Sequence, residues 1–257
     1  MEFFKTNTEG FVATVSLLHP PANALSSAVL KELSMLLEQL ETDDKVRVIL
    51  LHGEGRFFSA GADIKEFTAV SSREQAAKLA RAGQQVMEQI EQFPKPIIAA
   101  IHGAALGGGL ELAMSCHIRI VAENAKLGLP ELQLGIIPGF AGTQRLPRYV
   151  GFGKAAEMMW TSEPITGTEA VQWGLANRAV PEEQLLEEAK TLANKIAQKS
   201  PISIRATLQL LNAAKEKSFH EAVRYEAELF GNVFTSEDAK EGVQAFIEKR
   251  SPQFQGK

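Results

Sequence analysis

Apolar positions in the first half of the chain fall alternately into strand-like and helix-like patterns. Phe11–Leu18 reads FVATVSLL, a β-rich run that stops at His19-Pro20-Pro21. Ser26 can cap a helix, and Leu30, Leu33, Leu36, Leu37 and Leu40 recur behind it at helical spacing, which predicts an amphipathic helix to about Glu41. Val46–Leu51 (VRVILL) predicts a buried strand, broken by Gly53-Glu54-Gly55. Ser71 or Ser72 caps the next helix, with Glu74 or Gln75 as its capping-box partner, and that helix ends near Phe93, ahead of Pro94 and Pro96. Ile97–Ile101 is another apolar strand. Ala104–Cys116 (AALGGGLELAMSC) reads as a glycine-rich turn opening a helix, and Ile118–Ala122 as a further short strand. This alternation predicts an α/β core.

After Pro138 the pattern turns almost wholly helical. Its caps are Thr166 with Glu169, Ser200 with Pro201 at the first helical position, and Ser236 before Glu237. The expected organisation is an α/β core over residues 1–195 and a helical C-terminal region over 196–257, of a kind that serves oligomer contacts.

Composition narrows the class without changing that picture. The 257 residues are 45% hydrophobic and 23% charged with a formal net charge of -4, an ordinary globular balance with no basic stripe for nucleic acid. The lone Cys116 excludes an internal disulfide, and the N-terminal MEFFKTNTEG lacks the basic and apolar regions of a secretory signal. No apolar run is long enough to span a bilayer. A cytoplasmic protein is expected.

Several familiar motifs fail on inspection. Gly107-Gly108-Gly109 misses the dinucleotide pattern because Leu112 takes its last place. Around Gly151 and Gly153, Arg148 and Ala155 occupy positions that a phosphate loop needs for Gly and Ser/Thr, so these glycines read as a turn between helices. The histidines (His19, His52, His102, His117 and His220) have no metal-ligand spacing and read as single surface or strand-end residues. Cys116 reads as a small buried residue.

Two glycine-rich turns remain, each following an apolar strand: Phe57–Lys65 (FFSAGADIK) and Gly103–Glu111 (GAALGGGLE). Small side chains let a ligand approach backbone N–H groups, and a helix start adds unpaired donors and partial positive charge. Two such amides converging on one oxygen would form an oxyanion hole. Tight packing of helix on strand wants the same residues, so the turns alone leave both readings open. Two acids add weight. Glu111 lies one helical turn after Gly108 in the apolar stretch LELAMSC, and Glu131 lies in the apolar, glycine-punctuated GLPELQLG. A carboxylate in such surroundings is costly unless paired or used. Beside an oxyanion-hole candidate, the two form a candidate acid/base pair.

Along nearly its whole length the chain resembles the crotonase (enoyl-CoA hydratase/isomerase) family. The segments that carry the resemblance are Pro21–Leu25 (PANAL), Ser59–Phe67, Pro94–Cys116, Leu127–Gly151 and Glu241–Phe254. It implies a ClpP-like spiral of ββα units with a helical C-terminal trimerisation region, as a homotrimer or a dimer of trimers. It implies reversible syn addition of water to a 2-trans-enoyl-CoA, with Ala62 and Gly108 amides as the oxyanion hole. Glu111 matches the residue that polarises the water, and Glu131 the one that exchanges the proton at the α-carbon. The CoA thioester is expected along Ala22, Ala24, Ala60, Ala62, Asp63, Ile64, Lys65, Leu106, Gly108, Pro130 and Phe140. Phe246 and Lys249 would approach the adenine or 3′-phosphate from a neighbouring subunit. No metal or redox cofactor is expected, because CoA belongs to the substrate. Phe140 and Ala141 stand where Ala and Gly are usual, and His117 where Asp is common. Other crotonase-fold reactions compete with hydration: isomerisation, thioester hydrolysis, and hydration of methylglutaconyl-CoA or another branched chain. Retention of both acids favours hydration. A non-catalytic RNA- or CoA-binding role fits less well with the acidic balance.

Overall fold

The computed structural model describes all 257 residues. The chain opens with β1 (Phe4–Glu9) and β2 (Val12–Leu17), followed by α1 (Ser27–Thr42), whose cap Ser26 accepts from the Val29 N–H. Next come β3 (Val48–Gly53), the single-turn α2 (Ile64–Phe67) and α3 (Arg73–Glu91), capped by Ser72. β4 (Ile97–Ile101), β5 (Ala104–Leu106) and α4 (Gly108–Ser115) form the next unit. β6 (Ile118–Ala122), β7 (Lys126–Gly128) and α5 (Gly142–Thr161) repeat it, with a 3-10 turn at Glu131–Leu134 between strand and helix. β8 (Ile165–Thr166), α6 (Gly167–Gln172), β9 (Arg178–Val180) and α7 (Leu185–Ala197) follow. The chain closes with α8 (Pro201–Glu216), α9 (Phe219–Phe234) and α10 (Glu237–Glu248).

Two sheets result. A six-stranded sheet runs β1-β2-β3-β4-β6-β9, parallel from β2 onward, and a three-stranded sheet runs β5-β7-β8. Successive units place one strand in the large sheet and the next in the small one before a helix begins: β4–β5–α4, then β6–β7–α5. The stretch after β3 does the same in reduced form, since Ser59 bridges Ala105 beside β5. The chain therefore spirals, and each turn passes from the large sheet to the small one just before a helix N-terminus.

Burial explains the strand sequences. β3 and β4 are covered on both faces, which is why they read as continuous apolar runs. α1 and α3 set Leu33, Leu36, Leu37, Leu40 and Ile90 against Val15, Ile49, Leu51 and Ile97 of the sheet, while α7 packs across β2, β3, β4 and β6. In the C-terminal region α8 packs on α9. Phe219 (76%), Phe230 (66%), Phe234 (63%) and Phe246 (85%) stay exposed there. No helix is long and apolar enough to cross a membrane.

Some local expectations are corrected. The region after Pro138 also holds β8 and β9, too short to leave a period-2 signal, and β9 closes the edge of the large sheet. The polar β1 had no apolar pattern to reveal it; it is an antiparallel edge strand with five of its six residues exposed. Ala104–Leu106 is a strand rather than part of a turn. Of the histidines read as surface or strand-end residues, His52 is at a strand end but not at the surface. It is buried in β3, its Nε2 lies 2.8 Å from Ser16 Oγ, and burial lowers its pKa. His117 is likewise largely enclosed, with Nδ1 accepting from the Ile97 N–H at 2.9 Å, and burial pulls its pKa down to about 4. Gly151, at φ 77° and ψ 162°, breaks α5 into two segments, as a turn glycine should.

Candidate active site

The two glycine-rich turns come together. Ser59 N–H donates to Ala104 O and Leu106 N–H to Ser59 O, so the FSAGAD segment lies against β5. The Pro21–Leu25 stretch runs along its other side through Ala60 N–H to Ala22 O (2.9 Å) and Leu25 N–H to Gly61 O (2.8 Å). Asn23 fastens this layer, its Nδ2 donating to Glu54 O and Phe57 O. Gly107, at φ 53°, turns the chain from β5 into α4, and Gly109 packs so tightly on Ser59 that a side chain would collide with the Ser59 carbonyl.

This packing leaves two amides facing one space. Ala62 N–H has no protein acceptor. Gly108 opens α4, so its N–H has no partner within the helix. A Cβ built on Gly108 would lie 3.3 Å from the Ala62 nitrogen, and one on Gly61 would lie 3.5 Å from the Gly108 nitrogen. The backbone can approach a ligand here because no side chain stands between the donors.

Both acids border that space. Glu131 opens the 3-10 turn after Pro130, and its Oε1 would lie 3.0 Å from a Cβ on Gly107. Its Oε2 is buried without a hydrogen-bond partner, and burial raises its pKa. Glu111 is 2% exposed on the first turn of α4. Its Oε1 accepts from the Phe140 N–H (2.8 Å) and the Gly142 N–H (2.6 Å), while Oε2 takes no bond from the protein. Burial pushes Glu111 up to about 7; the nearby Glu131 charge adds to that, and the two amide bonds oppose it. Two carboxyls that both resist ionisation beside unpaired amides are suited to holding and moving a proton.

Of the other residues expected at the site, Leu106 lies with its carbonyl oxygen 2.9 Å from where a Cβ on Gly61 would stand. Asp63 caps α2 by accepting from the Lys65 N–H, and Ile64 and Lys65 stand exposed beyond it. Ala24 anchors the Pro21–Leu25 layer, its carbonyl 2.7 Å from His19 Nδ1. Phe140 is buried, with its ring edge against Gly108 on one side and Gly83 of α3 on the other. The single chain does not bring Phe246 and Lys249 here: α10 packs on α9, and no hydrogen bond or ion pair ties either residue to the site.

The chain matches the Enoyl-CoA hydratase/isomerase family model over residues 7–257. It belongs to this family. It is 62% identical over 247 residues to a probable enoyl-CoA hydratase of Bacillus subtilis, covering 96% of each chain. A short-chain-enoyl-CoA hydratase of Clostridium acetobutylicum is 43% identical over 244 residues, covering 94% of this chain and 93% of the relative. Among solved structures, an enoyl-CoA hydratase from Bacillus anthracis superposes with a TM-score of 0.94 at 40% identity, covering 99% of this chain and 100% of that one. The spiral of ββα units is thus the crotonase fold.

Sequence reasoning missed part of the site. The Phe140 and Gly142 amides that hold Glu111 come from the GFAG turn, where the glycines were a usable signal. Ala141 adopts φ 72°, the conformation that favours the usual glycine, and so aims the Gly142 N–H at Glu111. Arg145, buried in α5, left no signal at all.

Proposed function

We propose that the protein is an enoyl-CoA hydratase that adds water reversibly and syn across the double bond of a 2-trans-enoyl-CoA, with Glu111 and Glu131 as its acid/base pair. The observation that carries this reading is the pair itself: two carboxyls with raised pKa values flank two unpaired amides. An isomerase or a binding module has no need of both.

The thioester oxygen accepts from the Ala62 and Gly108 N–H groups, which draws electrons from the conjugated double bond toward the carbonyl. Water sits between Glu111 Oε2 and Glu131. Its oxygen bonds to the β-carbon as one of its O–H bonds breaks, and that proton passes to the carboxylate pair. The π electrons move into an enolate-like oxygen held by the two amides. The proton already on the pair, delivered by Glu131, bonds to the α-carbon. One proton is thus taken up and one released, and the pair returns to its starting state. Each amide donor is worth about 2.7–4 kcal/mol in such a site. Because the carboxyls interact, the titration belongs to the pair.

The Pro21–Leu25 and Ala60–Lys65 layers would carry the CoA moiety. A homotrimer, or a dimer of trimers, would cover the exposed phenylalanines of α9 and α10 and bring Phe246 and Lys249 to a neighbour's CoA. The reaction needs no metal or redox cofactor, and a cytoplasmic setting suits the single buried thiol, which burial pushes up to about 12. Loss of the conjugated enoyl-thioester absorbance on mixing purified protein with crotonyl-CoA tests the activity. Tight binding without that loss would move the assignment to another crotonase reaction.

A further inference from the structure

The turn that holds Glu111 is itself held from outside the site. Arg145, whose side chain is 9% exposed, donates from Nη1 to the Phe140 carbonyl at 2.9 Å. The N–H of that same Phe140 donates to Glu111. Arg145 also donates from Nε (3.1 Å) and Nη2 (2.8 Å) to Glu91 Oε2 at the end of α3. Glu91 Oε1 in turn accepts from Lys215 of α8 at 2.7 Å, and its carbonyl accepts from Asn212 Nδ2 at 2.8 Å. Two turns earlier on α3, Gln84 Nε2 donates to the Gly139 carbonyl at 2.9 Å. The Gly139–Gly142 turn is therefore gripped by α3 and α5, and that grip is tied to α8 beside a polar cavity of about 260 Å³.

We propose that Arg145 is a positioning residue for Glu111, acting through the Phe140–Gly142 turn, with Glu91 and Lys215 as the ion-pair chain that ties this turn to the C-terminal helices. The proposal rests on Glu111 being one of the reacting carboxyls. Arg145 touches no reacting atom; it holds the Phe140 carbonyl, within the turn whose two amides set where Glu111 Oε2 points. A planar fork bound on two sides is suited to this, because it orients what it holds.

The arrangement also has an electrostatic side. Arg145 is the positive charge that favours the ionised Glu111, and Glu131 opposes it. Glu91 partly neutralises Arg145, Lys215 partly neutralises Glu91, and Glu88, Arg148 and Glu216 line the same cavity. His117 faces Glu91 and stays neutral near pH 7, since burial takes it to about 4. Removing Arg145 should therefore make Glu111 harder to ionise, and removing the Glu91 charge should make it easier.

The test is the pH profile of kcat and kcat/KM on crotonyl-CoA for the full chain in its native assembly, with Arg145→Met, Arg145→Lys, Glu91→Gln and Glu111→Gln in parallel. Arg145→Met should lower kcat by about tenfold or more with KM within about threefold, and move the acidic limb to higher pH. Glu91→Gln should move that limb to lower pH. Arg145→Lys should keep the limb near its wild-type place yet still lose kcat, because a compact ammonium on a flexible stem lacks the rigid planar fork that sets the Phe140 carbonyl against Glu91. Limbs that stay fixed, or that move in the same direction in Arg145→Met and Glu91→Gln, would overturn the proposal. If Arg145→Met fails to fold, Glu91→Gln and Arg145→Lys, which keep the buried cation, decide the matter. A fully active Glu111→Gln would remove the underlying acid/base reading. An inactive Glu111→Gln beside a wild-type profile in Arg145→Met would refute the positioning role alone.

Discussion

Replacing Gly142 by alanine should damage catalysis while sparing the fold. Gly142 begins α5, where alanine is a good helix former, and its φ is not left-handed, so the backbone accepts the change. The side chain does not fit. A Cβ there would lie 2.9 Å from Glu111 Oε1, 3.0 Å from Glu111 Cγ and 3.0 Å from Leu129 Cδ1. The oxygen must stay 2.6 Å from the Gly142 nitrogen to keep its bond, so the carboxylate has to retreat by a few tenths of an ångström and stretch both amide bonds. Hydrogen bonds to a charged group contribute about 1.5–3 kcal/mol each. Losing a large part of two, together with the displacement of Oε2, should cost about 2–3 kcal/mol in the transition state, or about 30- to 150-fold in kcat. Glu111 should also become harder to ionise, since those bonds oppose its raised pKa. The assay is steady-state hydration of crotonyl-CoA across pH, with thermal unfolding alongside. Gly153→Ala on the same helix is the control, because nothing lies within 4 Å of its Cβ position. Wild-type kcat in Gly142→Ala, with an unmoved pH profile, would refute the claim that this amide sets the Glu111 carboxylate.

Other outcomes follow from the same geometry. Glu111→Gln should stabilise the protein above about pH 7: the folded acid keeps its proton up to about 7 against the ordinary glutamate value of 4.5, so native stability falls as pH rises through that window. The gain should reach up to about 3 kcal/mol and vanish near pH 4, and denaturant titrations at both ends check it; an equal gain at pH 4 would count against the burial argument. Phe140→Ala should shift the kcat/KM preference toward longer enoyl chains, because the ring fills the space between Gly108 and Gly83; competition between short and long enoyl-CoA substrates would show it, and an unchanged ratio would place the acyl chain elsewhere. Ala141→Gly should raise stability by about 0.5–1 kcal/mol by relieving a left-handed alanine at φ 72°, as read by chemical unfolding at fixed protein concentration.

What the sequence disclosed follows the physics of each signal. Strands buried on both faces, such as β3 and β4, and helices with a leucine stripe, such as α1, reveal themselves because burial demands a run or a period. β1, β8 and β9 are polar, short or both, and only their pairing partners make them strands. At the site, Glu111 and Glu131 were visible as acids in apolar surroundings, and the unpaired Ala62 and Gly108 amides as glycine-rich turns after strands. Of the support for Glu111 only the glycines of the GFAG turn gave a sign, because Phe140 and Gly142 hold it through backbone N–H groups that no side chain announces. Arg145 and Glu91 lie 54 residues apart and meet only in the fold.

The most direct test of the acid/base pair is single-turnover hydration of crotonyl-CoA by Glu131→Gln beside wild type, with thioester binding measured on the same samples. Binding within a few-fold of wild type and a rate lower by about three orders of magnitude would support a proton transfer made by Glu131. A rate near that of wild type in Glu131→Gln would contradict the pair.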